Sequence, residues 1–173
     1  LENKAYGTFT DRFRKVVNHE IYGLMNLNSV SNEKIEYFCK VIKSHSGNII
    51  FCGVGKSGHI AKKLSSTFSS LGIPSLFLHA TEALHGDLGV IKQYDCLIFI
   101  SKSGEAEEFP AISKFCRNKN IAMLGISFNK ESSLSKLIEE KNILIVPNVG
   151  EGCSLGLAPT TSSIQTLSIG DAL

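Results

Sequence analysis

Four short polar segments of this sequence hold residue types that can bind an anion or move a proton. They are Gly53 to Gly58, Ala80 to Asp87, Ser101 to Glu105 and Pro147 to Cys153. The first and third combine glycines with a lysine and serines, so backbone N–H groups, hydroxyls and an ammonium group can converge on a phosphate. The second and fourth contribute His85 and Glu151. An imidazole and a carboxylate beside a bound sugar phosphate can move a proton between adjacent carbons.

The glycine-rich segment permits more than one interpretation. Gly53, Gly55 and Gly58 fit the G-x-G-x-x-G pattern of dinucleotide sites. That pattern also expects an acid at the end of the next strand, where this sequence has His79. The missing acid weakens the dinucleotide interpretation, and an NAD-dependent oxidoreductase is kept as an alternative that an NAD titration would test. A Walker A loop is excluded because it requires glycine where Ile50 stands.

Each of the other polar segments also has a purely structural explanation. Ser103 is a suitable helix cap. Glu105, Glu107 and Glu108 are expected in the first turn of the following helix, where negative charge complements the helix dipole. His85 and Glu151 taken singly could be a hydrogen-bonded histidine and an exposed loop acid. Their occurrence together, after separate strands, favours a site.

The elements that position these segments are visible as short, continuous apolar runs. Such runs are typical of strands buried on both faces. They lie at Ile49 to Cys52, Leu76 to Leu78, Cys96 to Ile100, Ile121 to Ile126 and Ile143 to Val146. Helical apolar stripes follow the first, third and fourth runs. This alternation predicts an α/β fold with a five-stranded parallel sheet and helices on both faces, and ligands of such sheets bind at the carboxyl ends of the strands.

The N-terminal residues 1–44 are expected to form two helices. Phe9, Phe13, Val16 and Leu24 belong to one apolar stripe at helical spacing over residues 8–27, and Ser31 or Asn32 can cap a second helix that ends before Gly47. The first stripe predicts packing on the sheet or across a subunit boundary.

Composition limits the class of protein. The chain has 173 residues, 43% hydrophobic, with a formal charge of +2, which predicts one globular domain and gives no electrostatic footprint for nucleic acid or an anionic membrane. No apolar run approaches the length of a membrane span. The five cysteines are odd in number, lack C-x-x-C spacing and lie in apolar runs, which indicates reduced core residues of a cytoplasmic protein.

Four motifs, in this order, resemble the SIS (sugar isomerase) domain of D-arabinose 5-phosphate isomerases. They are Gly55 to His59, His85 to Gly89, Ser101 to Glu105 and Cys153 to Thr160. The resemblance covers about residues 45–173. It implies a flavodoxin-like three-layer fold and interconversion of D-ribulose 5-phosphate with D-arabinose 5-phosphate through an enediol, a reaction that supplies Kdo for lipopolysaccharide or capsule.

The resemblance also implies roles for individual residues. The family's functional lysine, histidine and two acids fall on Lys56, His85, Glu108 and Glu151, with Glu151 our first choice of base and Glu108 the second. Substrate and phosphate contacts are expected from Gly55, Ser57, Ser101, Lys102, Ser103, Gly104, Glu105 and Thr160. No cofactor is required. Inhibitory zinc is a further expectation, with His79 as its ligand, and the assembly implied is a homotetramer.

The sequence departs from the family pattern in ways that bear on activity. Lys102 stands where the family usually has Asn or Gln, and Ala106 where many relatives have a hydroxyl residue. A further family histidine and a pair of CBS modules would lie beyond Leu173, so we expect a fragment whose SIS domain is cut short, inactive if that histidine is indispensable. The alternative function is a sugar-phosphate sensor that binds without turnover, for which the set Lys56, His85, Glu108 and Glu151 would have no purpose.

Overall fold

The computed structural model describes residues 7–173 and shows one parallel sheet between two layers of helices. Residues 1–6 of the predicted N-terminal region lie outside the described part. The strands are β1 (Ile49–Gly53), β2 (Ser75–His79), β3 (Cys96–Ser101), β4 (Ala122–Ser127) and β5 (Ile143–Ile145). The helices are α1 (Phe9–Asn26), α2 (Asn32–Ser44), α3 (Gly55–Ser70), α4 (Ala80–Leu84), α5 (Phe109–Asn118), α6 (Ser133–Leu137) and α7 (Thr161–Ala172). Short 3-10 turns lie at Leu27–Ser29, Asp87–Val90 and Glu140–Asn142.

The strand order is β2-β1-β3-β4-β5, and every pairing is parallel. The register aligns Gly53 with His79 and Ser101 with Ser127, so the carboxyl ends of four strands meet along one edge. This order reverses between β1 and β3, and doubly wound sheets bind ligands at such a switch point. The predicted fold class is confirmed.

Two apolar clusters bury the two faces of the sheet. Alternate residues of each strand point to opposite faces, so Phe51 packs with Phe38, Leu64 and Phe68 on one side. Ile50, on the other side, joins the cluster around α5 that includes Phe109 and Ile112. Because both faces of the sheet are covered, each strand is a continuous run of apolar residues in the sequence.

Helix α1 begins where the sequence predicts, but its packing differs from one of the two expectations. A capping box fixes its start: Asp11 N donates to Thr8 Oγ1 over 3.1 Å, and Thr8 N donates to Asp11 Oδ2 over 2.9 Å. The main contacts of the helix are with α7 of its own domain, and Phe9 and Phe13 are 87% and 70% exposed. The helix thus packs mainly on a neighbouring helix, and packing across a subunit boundary remains a prediction.

All five cysteines are free thiols. Cys52, Cys96 and Cys116 are buried, and burial raises the pKa of each thiol, so these three are unreactive core residues. Cys39 and Cys153 are partly exposed, which corrects the expectation that all five lie in the core. Across residues 7–173, no helix has the length and apolar character to cross a membrane.

Candidate active site

A polar cavity of about 360 Å³ opens at the carboxyl edge of the sheet. Its lining comes from the loop after β1, the loop after β3 and the start of α7. The lining residues are Val54, Lys56, Ser57, Ile60, Ser101, Lys102, Ser103, Leu157, Pro159, Ser162, Ser163 and Thr166. Two lysines and no carboxylate line this cavity, so its chemistry favours an anion.

The turn from β1 into α3 depends on glycine for close packing. A Cβ on Gly53 would lie 2.9 Å from Ile100 O, and one on Gly58 would lie 3.1 Å from Gly53 O. Gly55 has φ +55 at the first position of α3, a conformation that suits glycine. The preceding Val54 makes no side-chain cap hydrogen bond, so the first-turn N–H groups of α3 have no capping side chain and remain suited to an anion beside Lys56 and Ser57.

The loop after β3 is a tight turn held by its own serines. Gly104 N donates to Ser101 Oγ over 3.0 Å, and Glu105 N donates to Ser103 Oγ over 3.2 Å. Gly104 has φ +74, and a Cβ there would collide with Ser132. The turn places Ser101, Lys102 and Ser103 on the cavity wall, as a phosphate loop requires.

Glu105 points away from the cavity. Its carboxylate accepts hydrogen bonds from Ser133 N over 3.0 Å and from Ser133 Oγ over 2.5 Å. These hydrogen bonds lower the pKa of Glu105, and they tie the loop to the first residue of α6. Glu105 is thus placed as a structural residue. Glu105, Glu107 and Glu108 were expected in the first turn of the helix after β3. That prediction is wrong, because α5 begins only at Phe109.

Glu151 is the most tightly held carboxylate of the site. Its side chain is 3% exposed and forms an ion pair with Lys102. Thr160 N donates to it over 2.8 Å, Ser162 N donates over 3.2 Å, and the hydroxyls of both residues donate as well. Burial alone raises the pKa of Glu151, but the hydrogen bonds from Lys102, Ser162 and Thr160 outweigh burial and lower that pKa to about 2. Thr160 therefore orients Glu151, where we had expected a phosphate contact.

Glu108 and His85 lie to one side of the cavity. Glu108 directly precedes α5 and accepts a hydrogen bond from Thr81 Oγ1 over 2.7 Å. It is near enough to the end of β1 to contribute, after burial, to the raised pKa of Cys52. His85 ends α4 and is exposed. Of the four predicted catalytic residues, Lys56 lines the cavity itself. Glu151 is connected to the cavity because it is bonded to Lys102 and Ser162, which line it.

His79 does not have the surroundings of a zinc ligand. Its Nδ1 is buried and has no hydrogen-bond partner. Its ring packs edge-on against the ring of Phe77, with 6.2 Å between the ring centroids. Residues 7–173 contain no group of three or more His, Cys, Asp or Glu side chains that could hold a metal ion, and a zinc site needs at least three protein ligands. The donor set does not fit zinc, and no step of the chemistry below uses it.

Helix α7 supplies site residues that the sequence reasoning missed. Ser162, Ser163 and Thr166 line the cavity, and Ser162 binds Glu151. The signal that could have found them is the run of hydroxyl residues after Pro159, which is typical of a helix start. No apolar stripe marks this helix, because it is buried between α1 on one side and α3 on another.

A second cleft, of about 280 Å³, lies at the opposite end of the sheet. Its buried acid, Asp95, already accepts hydrogen bonds from Asn48 N over 2.7 Å and Lys92 N over 2.8 Å. Asp95 thereby fixes the loops at the amino ends of the strands. The cavity at the carboxyl edge is the better candidate because it combines two lysines with serine hydroxyls at the carboxyl ends of the strands, where ligands of such sheets bind.

The fold and the cavity define a doubly wound α/β domain with a cavity suited to a small anion at the switch point of its sheet. The chain belongs to the SIS domain family, whose sequence model matches residues 42–173. This confirms the resemblance drawn from the four motifs.

The chain is 39% identical, over 95% of its length, to the arabinose 5-phosphate isomerase KdsD of Yersinia pestis, and covers 50% of that protein. It is 38% identical, over 92% of its length, to the arabinose 5-phosphate isomerase KpsF of Escherichia coli, and covers 49% of that protein. The chain thus spans about half the length of the curated relatives it matches. A solved structure from E. coli CFT073, in complex with A5P, superposes with a TM-score of 0.89 at 35% identity, covering 96% of this chain and 89% of the other.

Proposed function

We propose that the protein containing this chain is an aldose-ketose isomerase that interconverts D-ribulose 5-phosphate and D-arabinose 5-phosphate. The observation that carries this proposal is the union of an anion cavity, lined by Lys56, Lys102 and two serine-bearing turns, with the buried carboxylate of Glu151 at its edge. A phosphate in the cavity would bring the carbons at the other end of a five-carbon sugar into reach of the surrounding carboxylates. The identity to KdsD and KpsF supports this substrate.

The reaction needs a base, a stabiliser of negative charge and a way to move hydroxyl protons. In the direction from ketose to aldose, a carboxylate takes a proton from C1, the electron pair forms the enediol, and the proton returns at C2. Glu151 is our first candidate for this base and Glu108 the second. Lys56 would stabilise the enediolate or phosphate charge, and His85 would open the sugar ring or carry hydroxyl protons.

The surrounding biology follows from the same proposal. The product would supply Kdo synthesis for lipopolysaccharide or capsule. The five free thiols fit a reducing cytoplasm. The exposed apolar side chains of α1 fit burial between subunits of a homotetramer. No organic cofactor is needed, because the proton transfer uses side chains alone.

The test is isomerisation in heavy water by the full-length protein. Ribulose 5-phosphate should give arabinose 5-phosphate that carries deuterium at C2, detected by NMR. Unchanged, unlabelled substrate would reject the isomerase. If the protein then still bound the sugar phosphate, the sensor would become the better hypothesis.

A further inference from the structure

The ion pair between Lys102 and Glu151 joins a partly exposed lysine to a buried carboxylate. The Lys102 side chain is 40% exposed, whereas that of Glu151 is 3% exposed. Glu151 also accepts hydrogen bonds from Thr160 and Ser162, whereas the ammonium group of Lys102 is carried by a flexible side chain. If the pair separates, Lys102 is therefore the residue that moves.

This ion pair conflicts with the role of Glu151 as a base. A carboxylate that accepts an ion pair and several hydrogen bonds is stabilised in its ionised form and has little affinity for a proton. Three elements near Glu151 carry other titratable groups. Lys56 on α3 lines the neighbouring cavity. Cys153 follows Glu151 by two residues in the chain. His19 on α1 is also close, because its Cβ lies 3.5 Å from the position that a Cβ on the neighbouring Gly152 would occupy. Only Lys102 makes an ion pair with Glu151 among the described residues.

The cavity that Lys102 lines offers it a second partner. Ser101 and Ser103 flank Lys102 on the wall where a phosphate would bind, and Ser57 lies opposite. A phosphate dianion carries twice the charge of a carboxylate, and charge-assisted hydrogen bonds to it are strong. Bound substrate would compete directly with Glu151 for the lysine.

We propose that Lys102 is a positioning residue that moves from Glu151 to the substrate phosphate, so that Glu151 becomes an effective base only when substrate is bound. This inference rests on the proposed function. It assigns a purpose to Lys102, which lines the cavity and pairs with Glu151. It also explains how a carboxylate held so firmly in the empty site can accept a proton during turnover.

The test measures proton uptake on anion binding, by calorimetry at pH 5 in buffers of different ionisation enthalpy. Sulfate is the probe because it stays doubly charged at this pH and binds where a phosphate would. In the full-length protein, sulfate should draw Lys102 from Glu151, raise the pKa of that carboxyl from about 2 towards its ordinary value of 4.5 and cause uptake of about 0.1 to 0.2 proton per site. Lys102→Gln and Glu151→Gln should each reduce this uptake to near zero.

Lys63→Gln is the matched control, because Lys63 also forms an ion pair, with Asp171 at 2.5 Å, but outside the cavity. It should take up protons as the unmodified protein does. Equal uptake by Lys102→Gln and the unmodified protein would overturn the proposal, and so would sulfate that does not bind. The measurement needs no turnover, so a negative heavy-water result with the proton uptake intact would reject the isomerase and not the movement of Lys102.

A kinetic measurement separates positioning from a structural role. Lys102→Gln should raise KM for the sugar phosphate by about tenfold, because a phosphate contact is lost. Its kcat should change less than threefold, since Lys102 has already left Glu151 in the bound state. A large loss of kcat with unchanged KM would contradict the proposal.

Discussion

At the scale of single residues, the structure gives different surroundings to three acids that the sequence places after apolar strands. Glu105, Glu108 and Glu151 all follow apolar strands. The Glu105 carboxylate accepts a hydrogen bond from Ser133, and the Glu108 carboxylate accepts one from Thr81. The Glu151 carboxylate accepts hydrogen bonds from Thr160 and Ser162. Of these three carboxylates, only that of Glu151 is bonded directly to side chains of the cavity wall, those of Lys102 and Ser162. The local contacts, and not the type of residue, determine which carboxylate is suited to chemistry.

Replacing Glu151 with Gln should abolish turnover while sparing sugar-phosphate binding. Only the proton transfer is removed, and loss of such a base costs about 100-fold to 10,000-fold in kcat. Kinetics and direct binding of the sugar phosphate would be measured together. Glu107→Gln removes an exposed carboxylate nearby and should leave both unchanged. An equal loss of binding and turnover in Glu151→Gln would indicate a structural role.

Glu151 should also make the folded state sensitive to acid. Its pKa is about 2 when folded, against an ordinary value of 4.5, so the ionised form stabilises the fold above the ordinary value. That stabilisation, about 3 kcal/mol, should be lost as the pH falls from about 5 to about 2. Urea unfolding at pH 6 and pH 3 would show it. Glu151→Gln should lose less stability over this interval than the unmodified protein, and an identical loss would contradict the assignment.

At the scale of elements, the loop after β3 is shaped by a backbone conformation that a side chain would disturb. Gly104 combines a positive φ with no room for a Cβ, because Ser132 lies against it. This conformation lets Ser101 accept the Gly104 N–H and turns the loop toward the cavity. The sequence motif predicts a turn, but the contact with Ser132 comes from a distant part of the chain.

Gly104→Ala should lower the free energy of unfolding by about 3 kcal/mol, from backbone strain and from overpacking together. Gly72→Ala is the matched control. Gly72 has a similar φ of +80 but open space around its Cβ position, so it should cost about 1 kcal/mol. Denaturant titration would compare the two variants. Equal costs would mean that the contact with Ser132 has no energetic effect.

At the scale of the whole molecule, the exposed face of α1 is the feature that one chain does not explain. Phe9, Phe13 and Met25 are 87%, 70% and 65% exposed. Apolar side chains of this size on one helix mark an interaction surface. The C-terminal half of α1 is packed, since Gly23 is buried and Gln165 Nε2 of α7 donates to Gly23 O over 3.0 Å. The helix is thus anchored to its own domain through its C-terminal half, and its N-terminal half, with Phe9 and Phe13, is exposed.

Replacing Phe9 and Phe13 together with Ser should lower the oligomeric state, because the apolar area that subunit contact would bury is removed. Sedimentation velocity would measure the mass of the assembly. Arg14→Ser changes an exposed polar position on the same helix and should leave the assembly intact. An unchanged mass for the double variant would exclude this face of α1 from the interface.

The sequence by itself determined the parallel α/β fold, because strands buried on both faces leave continuous apolar runs such as Cys96 to Ile100. It also placed the loops after β1 and β3 together at the site, since the carboxyl ends of parallel strands share one edge. Only the tertiary structure decided that Lys102 pairs with Glu151, that Glu105 turns to Ser133 and that α7 closes the cavity. Those contacts join residues 28 or more positions apart, as in Glu105 and Ser133, and no local pattern encodes them.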